Sequence, residues 1–505
     1  MAANRGAPTP PIAIENGGAA EANAHFGSVA VPVPDSVLRS LEGACTTVTT
    51  DLAATAEAGR DWWPLAMHWA LAGETPARAA ALCKPATTVE VVAIMRICNE
   101  ARIPVTPVAG RSGVCGASVP AFGGVALDLT GLDGIVDVDD TSLLVDVRAG
   151  MFGDVFEDTL RADHALTVGH WPQSMALSTV GGWVACRGAG QLSTRYGKIE
   201  DIVIGAEVVL ADGTVLRTGG RGPRTAVGPE LTQLFVGSEG TLGVITEARL
   251  RAHPAPLAEE RAAFGFASFA DGLEACRLVL RRGATPAVLR LYDGRESRRH
   301  FDTERDLCVL LVLDEGDPEI VKATVAVTSE ACIAAGGRSL DPGLVEHWME
   351  RRNDVAALEV AVRSGFVVDT TEISARWRDL PAIYDAVVAA VSAVPGCLAV
   401  TSHQSHAYTD GACLYFTWAG QPPDGDVEAF YRSAWDAATN AVLVHGGALS
   451  HHHGVGLNRG RFLEDALGAP ALAALTSIKS ALDPNGILNP GKFILSTPFG
   501  DAPWS

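Results

Sequence analysis

No stretch of the 505-residue chain approaches about 18 uninterrupted apolar residues, so nothing in it is expected to span a bilayer. Positive charge is scarce: 39 Lys and Arg stand against 59 Asp and Glu, a net charge of −20. That balance argues against nucleic-acid binding and against adhesion to anionic membranes. No C-x-x-C pair occurs among the ten cysteines, and several lie in apolar runs. Scattered reduced thiols suit a cytoplasmic chain better than a disulfide scaffold. The N-terminus lacks a basic region followed by an apolar core, so it does not read as a secretory signal. Its Ala/Pro/Gly/Asn content predicts a disordered leader over residues 1–30. G-x-x-x-x-G-K-[ST] and a helix-opening G-x-G-x-x-G are both missing, which excludes a P-loop and a Rossmann fingerprint. No internal repeat of about 20–50 residues appears, which disfavours solenoids and propellers.

What is present is a well-mixed globular composition, 48% hydrophobic and 19% charged. The length suggests about three domains at roughly 100–200 residues each. Residues 31–82 read as an N-terminal helical segment whose Trp62, Trp63 and Trp69 pack it onto the rest. Thr87 and Glu90 have capping-box spacing ahead of the helical run VEVVAIMRICNEA. PVTPVAG then reads as a strand, and EVVLADGTVLRTG as a hairpin turning at Asp212-Gly213. His253-Pro254-Ala255-Pro256 breaks the chain, so domain limits are placed at 83–254, 255–440 and a C-terminal segment 441–505.

Three loops carry the first chemical signal. Pro107, Val108, Ala109, Gly110, Arg111, Ser112 and Gly113 follow a strand with glycines that let backbone N–H groups curl around an anion. A second loop holds Gln173, Ser174, Ser178, Thr179, Gly181, Gly182 and Arg187, and a third holds Glu239, Gly240, Thr241, Gly243, Val244 and Ile245. Small residues and hydroxyls in three loops suit an extended cofactor with two phosphates and a planar ring. PVAGRSG, LSTVGGWVACR, the Tyr196–Asp201 element, GSEGTLGVIT and DPNGILNPGKF together resemble the FAD-binding domain of the vanillyl-alcohol oxidase superfamily. The resemblance implies an α+β fold: a two-subdomain FAD-binding domain and an α+β cap, or substrate, domain over the flavin. Some members link flavin through a histidine near the first loop; none stands there, so FAD is expected to be held non-covalently.

The second half points to the reaction. Gly447-Ala-Leu-Ser-His451-His452-His453-Gly-Val-Gly456 offers imidazoles where protons move near neutral pH. With AYTDGACLYF, GHWPQS, LRLYD and TEISARW, this run resembles the alkyldihydroxyacetonephosphate synthase family. The resemblance implies catalytic roles for Tyr408, His452, His453, His170 and Arg352, the last with Arg351 beside it as an alternative. It implies substrate contacts from Arg290, Thr370 and His451. It also implies a substrate bound at the flavin N5 atom while a dihydroxyacetone-phosphate-like molecule exchanges an acyl for an alkoxy group. A proton role for Tyr408 would need nearby cations to lower its pKa. The competing reading is an FAD-linked oxidase or dehydrogenase of a D-2-hydroxy acid or alcohol; a non-catalytic FAD scaffold is the third. Zinc-dependent relatives carry H-x-G-D-G-N-L-H where this chain runs from His406 to Cys413, and a carboxylate where it has His452, so no metal is expected. The expected partner is a small-molecule or lipid-like substrate, with a homodimer as the candidate assembly.

Overall fold

The computed structural model describes residues 10–15, 25–27, 30–220, 222–304, 306–353, 356–501 and 503–504. Near the start, Thr87 caps the helix Thr88–Ala101, its hydroxyl accepting from the Glu90 N–H at 3.3 Å. Glu90 does not return that bond to Thr87. Its carboxylate accepts instead from the N–H and hydroxyl of Thr46 and from the Ala86 N–H, fastening the helix to preceding chain. The helix leads to the strand Val105–Val108, which lies parallel to Val125–Asp128. Val125–Asp128 is also parallel to Ala81–Lys84, and Thr47–Thr49 closes the edge antiparallel. A second, five-stranded antiparallel sheet has the order Ile135–Asp139, Leu144–Arg148, Val244–Arg251, Val203–Val209, Val215–Arg217. Its last two strands form the Asp212-Gly213 hairpin, with Gly213 at φ 81°. These sheets make the two α+β subdomains.

Residues 31–82 are helical only in part. Helices Asp35–Ala44, Leu52–Glu57 and Pro64–Leu71 alternate with two strands of the first sheet. Trp63 is buried and its Nε1 donates to the Tyr431 hydroxyl at 2.9 Å, seating the segment on the second half of the chain. The expected disordered leader lies mostly outside the described residues, and its described pieces contact the rest of the chain. Ile12 is buried, its carbonyl accepting from Arg60, and His25 stacks on Trp69 with centroids 4.2 Å apart.

From Ala258 the chain builds a seven-stranded antiparallel sheet: Arg338–Leu340, Ala258–Phe266, Cys308–Gly316, Val288–Tyr292, Cys397–Ala407, Gly411–Gly420, Val367–Arg376. The apolar run in Cys308–Gly316 has a physical cause. Alternate side chains point to opposite faces. Cys308, Leu310 and Val312 join the core with Leu273, Cys276 and Val279 of the helix Phe269–Arg281. Val309, Leu311 and Leu313 join a core with Val345 and Trp348 of the helix Gly343–Arg351. The C-terminal tail then returns to the first half. Leu488 bridges to Val105, and Asn489 Nδ2 donates to the carbonyls of Ala117 and Glu239 at 2.9 and 2.6 Å. No helix among the described residues is long and apolar enough to cross a membrane, and all ten cysteines are free thiols.

Candidate active site

A cavity of 450 Å³ lies between the three glycine-rich loops and the seven-stranded sheet. The strand Val105–Val108 delivers the first loop to one end, where Pro107 to Gly113 all line the space. Gly110 packs against the Leu177 carbonyl with no room for a Cβ, which locks the first loop to the second. Gly113 and Gly182 are different. A Cβ at Gly113 would meet only Asp61 Oδ2 at 3.4 Å, and one at Gly182 only Thr179 Oγ1 at 3.2 Å. Both line the cavity, so they leave open a cradle that side chains would fill. Thr179 caps the short helix Val180–Cys186 by accepting from the Gly182 N–H. Ser178 Oγ accepts from Trp183 Nε1 at 2.7 Å, and Ser118 Oγ is buried at the cavity wall without a partner among the described residues. Close backbone, small side chains and an orphaned hydroxyl fit a dinucleotide.

Gln173, Ser174, Ser178, Thr179, Gly181, Gly182, Glu239, Gly240, Gly243 and Ile245 also line the cavity. Three residues expected there do not. Arg187 ends the short helix and pairs with Glu200 at 3.3 Å; the Thr241 hydroxyl turns to the Ser238 carbonyl; Val244 is buried in sheet packing. Glu239 spends its carboxylate on the N–H groups of Val455 and Gly456 at 2.6 and 2.9 Å, joining the third loop to the histidine turn. Burial raises its pKa despite those bonds.

At the other end the walls are side chains. His170, His452, His453, Arg290, Arg351 and Arg352 line the cavity, together with Tyr415, His403 and His406. Among the described residues neither ring nitrogen of His170 has a partner, and burial, helped by Lys198, pushes its pKa down to about 3. Burial likewise brings His453 to about 4, so these rings are neutral near pH 7 and able to accept a hydrogen bond. Arg352 lies over the Trp171 and Trp348 rings, 5.7 Å from each.

The triple-histidine turn is held by Glu372. Its carboxylate accepts from the N–H groups of His451, His452 and His453 at 2.5, 3.1 and 2.9 Å, from Ser450 Oγ at 2.7 Å and from Arg459 at 2.9 Å. Burial alone would raise Glu372, but Arg459 and the histidines bring it down to about 2. Lys198 Nζ adds a bond to the His451 carbonyl at 2.6 Å. Atoms of Glu372, Cys413, His451 and His452 lie within 4.8 Å of one another, but that carboxylate is already committed to the turn.

Tyr408 is not at the cavity. It follows the strand Cys397–Ala407 in a tight turn, its N–H bonded to the Gly411 carbonyl and its hydroxyl 3.0 Å from His451 Nε2. Burial raises its pKa, the reverse of the lowering that proton transfer there would need. His451 and Thr370 also sit one layer back, Thr370 Oγ1 donating to the Tyr415 hydroxyl at 3.2 Å. Tyr415, in the same ten-residue AYTDGACLYF run, is the tyrosine that faces the cavity, with His453 Nε2 at 3.4 Å from its hydroxyl. Strand register decides this: Glu372, Tyr415 and His403 lie side by side on three neighbouring strands. Sequence reading missed Tyr415, Glu372, His403 and His406. His403 and His406 would point to opposite faces of a regular strand. A bulge after Ser405, with His406 at φ 54°, turns both to the cavity. The available signal was the second tyrosine of the run.

Residues 79–219 match the FAD binding domain family, and 255–493 match the FAD linked oxidases, C-terminal domain. The chain is 32% identical over 430 residues to the FAD-linked oxidoreductase YgcU of Escherichia coli, covering 82% of this chain and 88% of that one. It is 28% identical over 445 residues to the alkyldihydroxyacetonephosphate synthase of Dictyostelium discoideum, covering 80% and 71%. It is also 28% identical over 433 residues to glycolate oxidase subunit GlcD of Bacillus subtilis, covering 82% and 88%. Among solved structures, an alkyldihydroxyacetonephosphate synthase superposes with a TM-score of 0.76 at 21% identity, covering 93% of this chain and 87% of that chain. The 4-ethylphenol oxidase from Gulosibacter chungangensis gives 0.73 at 18%, covering 92% and 97%.

Proposed function

The chain belongs to the FAD-linked oxidase family and is an FAD-dependent enzyme, and from that premise we propose that it acts on a phosphate-bearing substrate resembling acyl-dihydroxyacetone phosphate, exchanging its acyl group for an alkoxy group. One observation carries this reading. Away from the glycine loops, three arginines, Arg290, Arg351 and Arg352, line the cavity, while its two lining carboxylates, Asp61 and Glu239, are taken up by the backbone N–H groups of Trp63 and Gly116 and of Val455 and Gly456. A phosphate with about two negative charges matches that set through charge-assisted hydrogen bonds.

When bound, FAD supplies the electron-accepting ring system; the chain supplies the rest. Arg290 and Arg352 bind and orient the anion. The neutral His170 and His453 rings offer hydrogen-bonding nitrogens to substrate oxygens, and the proton the incoming alcohol loses as the fatty acid departs as a carboxylate passes to solvent. Burial raises the Tyr415 pKa, so its hydroxyl stays protonated and donates to substrate oxygen. Glu372 fixes the His452 and His453 backbone so that both rings stay at the wall. The first loop carries no histidine, which supports non-covalent FAD.

Oxidation of a D-2-hydroxy acid is the second reading, favoured by the same neutral imidazoles, whose open ring nitrogens can hydrogen-bond a substrate hydroxyl. An anaerobic screen separates the two. Acyl-dihydroxyacetone phosphate plus a fatty alcohol should release free fatty acid without lasting flavin bleaching. Bleaching by D-lactate or glycolate, with no fatty acid release from the phosphate ester, would establish the oxidase instead.

A further inference from the structure

Arg290 is held in a chain of bonds that runs away from the reacting centre. Its Nε donates to the Tyr292 hydroxyl and its Nη2 to His403 Nε2, both at 2.7 Å. A guanidinium has only donors, so His403 Nε2 accepts and the proton of the neutral ring sits on Nδ1. That Nδ1–H donates to Glu296 Oε1 at 3.0 Å. The His403 ring also stacks on Tyr415, centroids 4.8 Å apart and planes 16° from parallel. The guanidinium itself lies 5.1 Å from the Tyr292 ring and 5.9 Å from the Trp348 ring. Glu296 comes from the helix Gly294–Phe301, started by Asp293, whose carboxylate accepts from the Glu296 and Ser402 N–H groups at 2.7 Å each. Arg299 and His300 of the same helix face the Glu296 carboxylate at 3.4 and 3.6 Å.

We propose that the Glu296–His403 pair is a positioning device that aims Arg290 at the phosphate of the substrate and thereby sets its affinity. The inference rests on the reading that Arg290 receives that anion. Glu296 holds the imidazole in the tautomer whose Nε2 lone pair faces Arg290. His403 then fixes one edge of the guanidinium and leaves its remaining donors to the cavity. Without the pair the long side chain would have to be ordered by the substrate itself, and binding would weaken.

The test uses the flavin-loaded protein, titrated calorimetrically with dihydroxyacetone phosphate. His403→Leu should raise Kd about 10–100-fold, the range for losing a hydrogen bond to a charged group. His403→Gln, whose amide can accept from Arg290 and donate to Glu296, should return Kd to within about threefold of wild type. In a turnover assay the loss should appear in KM rather than kcat. Should His403→Leu not fold, His403→Asn serves instead: its amide stands near the Nδ1 position and is too short for Arg290. Arg290→Gln separates the two levels. If it binds the phosphate as tightly as wild type, the anion reading itself fails. If it loses binding while the folded Leu or Asn variant binds like wild type, the anion reading stands and the positioning role is overturned.

Discussion

Loops 107–118, 173–182 and 239–245 enclose one end of the cavity with glycine, serine, threonine and bare backbone, whereas the other end is walled by side chains from separate strands, helices and turns. The loop end is written in short consecutive stretches, because close backbone approach demands small residues next to one another. The far end is assembled from residues up to 283 positions apart, His170 to His453, which meet only through sheet register and one clamped turn. A motif search therefore finds the first end easily and misnumbers the second. Tyr408 and Tyr415 show the cost of that: they are seven residues apart, yet one lies behind the histidines and the other faces the cavity.

The largest expected effect tests that pair. Tyr415→Phe should lower turnover by roughly 10²–10⁴ with flavin content unchanged, while Tyr408→Phe should cost less than about tenfold. Steady-state kinetics beside flavin absorbance decides it, and the reverse ranking would return the role to Tyr408.

Next in size is the clamp on the histidine turn. Glu372→Gln leaves Arg459 buried without its charge partner and should destabilise by about 3–5 kcal/mol, read from urea unfolding. Linkage gives an independent measure. The folded pKa of Glu372 is depressed to about 2, so its contribution is fully present above the ordinary carboxylate pKa of about 4.3 and is lost as pH falls from there through about 2. The pH dependence of stability in that window should shrink in the Gln variant; an unchanged profile would show that Glu372 is not held ionised.

A smaller effect separates cofactor cradle from protein packing at the loop end. A side chain at Gly243 meets Val208 Cγ1 inside the sheet, so Gly243→Val should cost about 1–3 kcal/mol even in flavin-free protein. Gly113→Val meets no such wall and should leave flavin-free stability within about 0.5 kcal/mol while lowering flavin occupancy. Equal thermal shifts in the two flavin-free variants would erase the distinction. The mildest test is qualitative. Acid precipitation should leave the yellow colour in the supernatant, and colour in the pellet would mean a covalent link from a residue outside the first loop.

Local chemistry was legible where it needed only neighbours. The cap at Thr87, the Asp212-Gly213 hairpin and the Val105–Val108 strand ahead of the first loop all follow from residues within a few positions of each other. Glu90 was half legible: its spacing suggested a bond to Thr87, but the carboxylate found Thr46, 44 residues earlier, which no local pattern records. Arg187 and Val244 were misplaced for a related reason. Each lies inside a loop motif, but one is a helix cap turned to Glu200 and the other a buried strand residue.

By itself, then, the sequence determined the dinucleotide loops, the α+β layout and the presence of a histidine cluster, because composition and short-range spacing encode turns, caps and periodicity. Only the tertiary structure decided which side chains share a wall. The alignment of Glu372, Tyr415 and His403, the bulge at His406 and the hold of His403 on Arg290 depend on strand register between residues as far apart as Arg290 and Tyr415, 125 positions along the chain. A slip of one residue in that register would turn every one of these side chains to the opposite face.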